Sequence, residues 1–187
     1  MKALVKIFFF MAVLSLVAGC EKTEPIEFEQ STSLETKAPT GRPIGFNVVM
    51  TGNYDYVGPS DICGDFPPYA RVINSGEGTG SHLGHFTHYF DFCFDTTDGS
   101  YPEDYIEGYF EDENGDRLFV EVAGFVIPGR LPGMPNFAVS YFKDPWVIIG
   151  GTGRFEGATG YGMTNDYNSA KDPYSHHNWK GRIILQE

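Results

Sequence analysis

Three histidines recur at three-residue spacing, His82, His85 and His88, and two more are adjacent, His176 and His177. Imidazole is a common ligand for zinc and related ions, so metal chemistry is the first class to test. In an extended chain His82 and His88 share a face but stand about 20 Å apart, and His85 points the other way. One strand cannot gather them around one ion, and His176 and His177 diverge in the same manner. The acidic stretches Asp95 to Asp104 and Asp112 to Asp116 lack the spacing of an EF-hand, and turn chemistry accounts for Asp98-Gly99 and Asn114-Gly115. The run Gly151-Thr152-Gly153-Arg154-Phe155-Glu156 places Glu where a dinucleotide loop needs Gly, and no Gly-Lys-Ser/Thr follows. No G-x-S-x-G elbow is present. The sequence therefore implies no metal and no cofactor.

What remains is a carboxylate placed inside a folded shell, where burial raises its pKa into a range suited to acid/base work. The hairpin Asp104 to Gly124 offers the candidates. Asn114-Gly115 sits between two alternating runs and predicts a two-residue turn. That turn sets Asp112 opposite Arg117, Phe110 opposite Phe119, and Gly108 opposite Glu121. One choice of inner face then holds Phe110, Phe119 and Glu121, with Asp112 and Arg117 near a rim. The other holds Tyr105, Glu107, Tyr109, Leu118 and Val120. Glu121 is the candidate catalytic acid, because its face carries the bulkier aromatic neighbours. The plainer reading pairs the carboxylate with Arg117, Arg154 or Lys180, or leaves it at a solvated rim.

The elements that must position these groups are strands. Ile44, Phe46, Val48 and Met50 alternate with smaller or polar residues. From Ser81 to Asp95 the alternation continues over fifteen residues, a period that no helix has. Its even face carries Phe86, His88, Phe90, Phe92 and Phe94. Further strands are predicted at Tyr69–Ile73, Phe137–Phe142, Trp146–Ile149, Arg154–Thr164 and Trp179–Leu185. No segment carries a helical stripe. Eight or nine strands joined by turns predict an all-β fold, a sandwich or a closed antiparallel barrel of about eight strands. The 23 Gly favour the barrel, where close strand approach needs residues lacking Cβ. Phe86, His88, Phe90 and Phe92, with Phe110 and Phe119, are the expected lumen lining. The same residues would also serve as a filled core.

The ends of the chain speak to its address. Lys2 and Lys6 precede the apolar run Ile7 to Ala18, which is too short to span a bilayer and fits a secretory signal. The ending Val17-Ala18-Gly19-Cys20 resembles a bacterial lipobox, which implies cleavage after residue 19 and a lipid on Cys20. Residues 20–43 read as a polar tether and 44–187 as the barrel domain. The acidic residues after Cys20 resemble surface-export signals of some Bacteroidota lipoproteins. The implied address is the cell envelope, an outer-membrane lipoprotein facing the periplasm or the cell surface. The whole chain has 13 basic and 25 acidic residues, a net charge of −12; loss of Lys2 and Lys6 makes it −14. Such acidity argues against nucleic-acid partners. Cys63 and Cys93 remain after lipidation. They are either a disulfide or two unpaired thiols, and an exported address favours the disulfide.

The string Gly150-Gly151-Thr152-Gly153-Arg154-Phe155-Glu156-Gly157-Ala158-Thr159-Gly160 resembles the glycine-rich strand of allene oxide cyclases and dirigent proteins. Ser81-His82-Leu83-Gly84 and Asn114-Gly115-Asp116 with Leu118 resemble pieces of small secreted bacterial proteins of that type. The resemblance implies a calycin-type, eight-stranded antiparallel barrel whose shaped lumen does most of the work. No lumen residue of those families maps onto this chain beyond the string. The first functional expectation is a non-catalytic barrel that binds a small apolar or aromatic ligand, or a partner. The alternatives are a cofactor-free cyclase or isomerase acting by confinement, and a structural or glycan-binding module using Tyr54, Tyr56, Tyr101, Tyr167 and Tyr174. A filled interior would remove both lumen readings.

Overall fold

The computed structural model describes residues 41–101 and 106–186. The signal segment, Cys20, nearly all of the tether, and Tyr105 lie outside the described residues. Eleven strands follow in order: β1 Ile44–Gly58, β2 Tyr69–Gly80, β3 Gly84–Asp95, β4 Ile106–Asp112, β5 Arg117–Val122, β6 Ile127–Pro128, β7 Ala138–Phe142, β8 Pro145–Gly151, β9 Thr159–Met163, β10 Asp166–Ser169 and β11 Ser175–Ile184. They form one antiparallel sheet in the order β1-β2-β3-β4-β5-β8-β9-β11-β10-β7-β6, and β1 also pairs with β11. That pairing closes an eight-stranded barrel, leaving β10, β7 and β6 as an extension outside it. Closure removes the free edges that an open sheet would expose.

Alternation sets the inner face. Phe46, Val48 and Met50 of β1 and Phe86, His88 and Phe90 of β3 are buried while their neighbours are not. Phe46, Phe86, Phe110, Leu118, Trp146 and Ile183 are at most 1% exposed and pack as one cluster. Trp146 stacks on Trp179 with ring centroids 5.8 Å apart and meets Phe46 edge-on at 5.4 Å. Glycines make room for this bulk. A Cβ at Gly162 or Gly181 would lie 2.3 or 2.6 Å from Trp146 Cζ2. Small residues opposite large ones let a narrow barrel fill its own interior.

Three sequence expectations change here. The β4–β5 loop has three residues, not two. Gly115 adopts φ +81° and donates its N–H to Asp112 O at 3.0 Å, while Asp112 N–H donates to Asp116 O at 3.0 Å. The Asp112 carboxylate also accepts the N–H groups of Asn114 and Asp116. This is a type I turn closed by a left-handed glycine, and it carries one more residue than the tight alternative. Glu107 therefore opposes Glu121, Tyr109 opposes Phe119, and Phe110 opposes Leu118. One residue of loop flips β5, so Leu118, Val120 and Val122 face inward while Phe119 and Glu121 face outward.

Second, β3 begins at Gly84 rather than at Ser81. Gly84 has φ +71° and His82 has φ +67°, so residues 81–83 form a turn. Third, the glycine-rich string is not one strand. It ends β8, makes a 3-10 turn at Gly153–Phe155, and enters β9 at Thr159. Arg154 in that turn pairs with the carboxylate of Asp112, which closes this end of the barrel.

Candidate functional site

The opposite end of the barrel is only partly filled. A half-open cleft with about 50 Å³ of internal space lies there, lined chiefly by aromatic rings. Phe90 and Phe92 come from β3, Trp179 from β11 and Phe142 from β7. Tyr54 and Tyr101 complete the ring set, and Ile106 and Val122 add aliphatic wall. The polar groups reaching this space are Asn74, Asp144, Thr164, Asp166 and His177.

Asp144 sits in the segment joining β7 to β8, just before Pro145, and is 5% exposed. Its backbone N–H donates to Thr164 Oγ1 at 2.8 Å, and Thr164 N–H donates to Asp144 O at 2.9 Å. These two bonds lock the segment. The carboxylate accepts the Phe125 N–H at 3.2 Å and lies 3.4 Å from the Tyr101 hydroxyl. Among the described residues no Lys or Arg pairs with it. Burial, with the charge of Asp166 adding to it, pushes its pKa up to about 6 against the lowering effect of the Phe125 bond. The same burial holds the Tyr101 hydroxyl well above its ordinary pKa.

A hydrogen-bonded relay lies beside it. His177 Nδ1 is 2.7 Å from Asp166 Oδ2, which fixes the proton on that nitrogen. His177 Nε2 is 2.8 Å from Ser175 Oγ, and Asn74 Nδ2 donates to the same oxygen at 3.0 Å. His88 Nε2 donates to Asn74 Oδ1 at 3.0 Å, leaving Nδ1 buried without a partner. The contacts run from His88 through Asn74, Ser175 and His177 to Asp166, and the Ser175 hydroxyl also donates to Gly52 O at 3.2 Å. Such chains polarise and stiffen one another. Asp166 also accepts Trp179 Nε1 at 2.8 Å and the backbone N–H of Asn178 at 2.9 Å. Burial, then repulsion from His177, lowers the pKa of His88 to about 3, so its ring is neutral.

Ser175, His177 and Asp166 reproduce the connectivity of a hydrolase triad. Ser175 is nevertheless 0% exposed and does not line the cleft. A nucleophile needs an open approach to a carbonyl carbon, and this hydroxyl has none. The relay positions the rings of His177 and Trp179 in the cleft wall.

The sequence-predicted residues divide between the two faces. Phe86, His88, Phe90, Phe92 and Phe110 point inward. Phe86 and Phe110 belong to the solid core, and Phe90 and Phe92 to the cleft. Phe119 lies instead in an outer groove with Tyr109 and Ile149. Glu121 pairs across the outer face with Glu107 and Val147 and does not enter the lumen. Tyr101 is 4% exposed and sits inside, not on a loop surface. His82, His85 and His88 diverge: His82 Nε2 reaches Gly45 O, His85 lies outside near Glu77, and His88 is buried. Among the described residues no three His, Cys, Asp or Glu side chains form a metal-ligand cluster. Cys63 and Cys93 form a disulfide outside the lumen, tying the β1–β2 connection to β3.

Asp144, Asp166, Ser175 and Asn74 escaped the sequence reading. One signal was readable: Ser175, His177 and Trp179 share a face once the strand begins at 175 rather than 179. No family model matches the chain, and neither a curated protein nor a solved structure matches it. The cleft must therefore be read from its own chemistry.

Proposed function

We propose that this protein is an extracytoplasmic binding barrel, anchored through a lipid on Cys20, that seats the apolar or aromatic end of a small ligand in its mouth. The carrying observation is the half-open aromatic cleft above a filled core. Its internal space of about 50 Å³ favours binding over confinement. Sites that enclose a whole substrate run to roughly 300–1,000 Å³. A cyclase or isomerase acting by confinement needs such a chamber, whereas a binding cleft needs room only for the end it grips. Lipid attachment draws support from the lipobox-like Val17-Ala18-Gly19-Cys20.

Benzyl alcohol serves as the probe. Titration should give a saturable shift of the Trp179 indole N–H resonance, assigned with a Trp146→Phe variant. The Phe119 ring on the outer face should not respond. Absence of saturation would remove the binding reading. Palmitate labelling should be lost in Cys20→Ala, and retained label would remove the anchor.

A further inference from the structure

The cleft wall combines aromatic rings with buried carboxylates, and among the described residues it brings no Lys or Arg side chain to balance them. Tyr54, Phe90, Phe92, Tyr101, Phe142 and Trp179 supply the rings. The titratable groups facing the space, besides the two tyrosines, are Asp144, Asp166 and His177. They differ in how far their needs are met. Asp166 accepts from His177, Trp179 Nε1 and the N–H groups of Asn165 and Asn178. Asp144 accepts the Phe125 N–H at 3.2 Å, has a hydroxyl at 3.4 Å, and is further approached only by the Lys143 backbone N–H among the described residues. A carboxylate that is 5% exposed with so few donors is an unbalanced buried charge.

We propose that the ligand of the cleft is an organic cation with a compact ammonium head, seated between the aromatic wall and the Asp144 carboxylate. This rests on the reading of the mouth as the ligand site. Aromatic faces attract cations through the ring quadrupole, most strongly when both are out of water. A desolvated carboxylate strengthens the attraction and excludes anions. The internal space of about 50 Å³ suits a head group and leaves the rest of the molecule in the open mouth. The net charge of −12 raises the local concentration of cations and speeds their arrival. Occupation would supply the partner that Asp144 lacks. The elevated pKa of Asp144, raised chiefly by burial and further by Asp166, agrees with this.

Choline and its neutral isostere 3,3-dimethylbutan-1-ol make the test, titrated at pH 7.5 with the Trp179 indole resonance as readout. Choline should bind at least about tenfold tighter than the isostere, a ratio worth about 1.4 kcal/mol. Asp144→Asn should bring the ratio to within about twofold of one by weakening choline and sparing the isostere. The wild-type ratio decides the charge preference whatever the variant does. Equal binding of the two probes would overturn the cation assignment and leave the aromatic cleft standing. Saturation by neither probe nor by benzyl alcohol would overturn both readings. A preference that survives Asp144→Asn would overturn the role of Asp144.

Discussion

Asp144 shows how one residue couples function to stability. Its pKa of about 6 in the folded chain lies above the ordinary 3.8. Between those values the folded state holds a proton that the unfolded state has released. Stability from this group is therefore highest below pH 4 and is lost as pH rises through 6. Asp144→Asn should raise stability by up to about 3 kcal/mol at pH 8 and change it little at pH 4. Urea unfolding at both values measures this, and an equal effect at both would contradict it. His88 works in the opposite sense. Its folded pKa of about 3 lies below the ordinary 6.5, so its contribution is full above pH 6.5 and is lost as pH falls toward 3. The two slopes oppose each other, so the difference between variant and parent isolates Asp144. A stabilising loss of a buried charge at neutral pH is the pattern expected where a group is kept for binding.

At the scale of the element, one loop residue decides which side chains see the interior. Alternation along β4 and β5 is legible in the sequence, and so is Asn114-Gly115 as a turn. Whether the loop holds two or three residues is not, because both conformations accept Asn-Gly and both leave the strands paired. Asp112 tips the choice by accepting the N–H groups of Asn114 and Asp116 with its carboxylate. Gly115 must supply a positive φ and has nothing within 4 Å of a built Cβ. Gly115→Ala should thus cost only backbone strain, about 1 kcal/mol. Gly162→Ala should cost more, about 2–3 kcal/mol, because its Cβ would meet Trp146 Cζ2 at 2.3 Å and Lys180 O at the same distance. Thermal or urea unfolding of the two variants checks the order, and the reverse order would show that the Trp146 packing yields.

At the scale of the whole molecule, barrel closure and the disulfide restrain different parts. Closure through β1 and β11 brings Gly52 against Ser175 and joins the two ends of the barrel domain. The Cys63–Cys93 bond spans 30 residues and pins the β1–β2 connection to the outside of β3. Replacing both cysteines by serine should lower stability by about 3–4 kcal/mol, the loop-entropy value for that span. Denaturation midpoints of parent and double variant measure it, and a loss below about 1 kcal/mol would mean the open loop is already constrained. Cys93 follows Phe92 of the cleft wall but lies on the opposite face of β3, so the cleft should bind its probes equally in both proteins. By itself the sequence determined the all-β class, the period-two faces of β1 and β3, the abundance of glycine a narrow barrel needs, and the acidity that favours cations. These are local or additive properties, carried by each segment wherever it ends up. Only the tertiary structure decided which carboxylate faces inward and where the cleft lies. Asp144, Asp166 and His177 sit on separate elements that strand pairing brings together, and pairing register is a relation between segments that no single segment encodes.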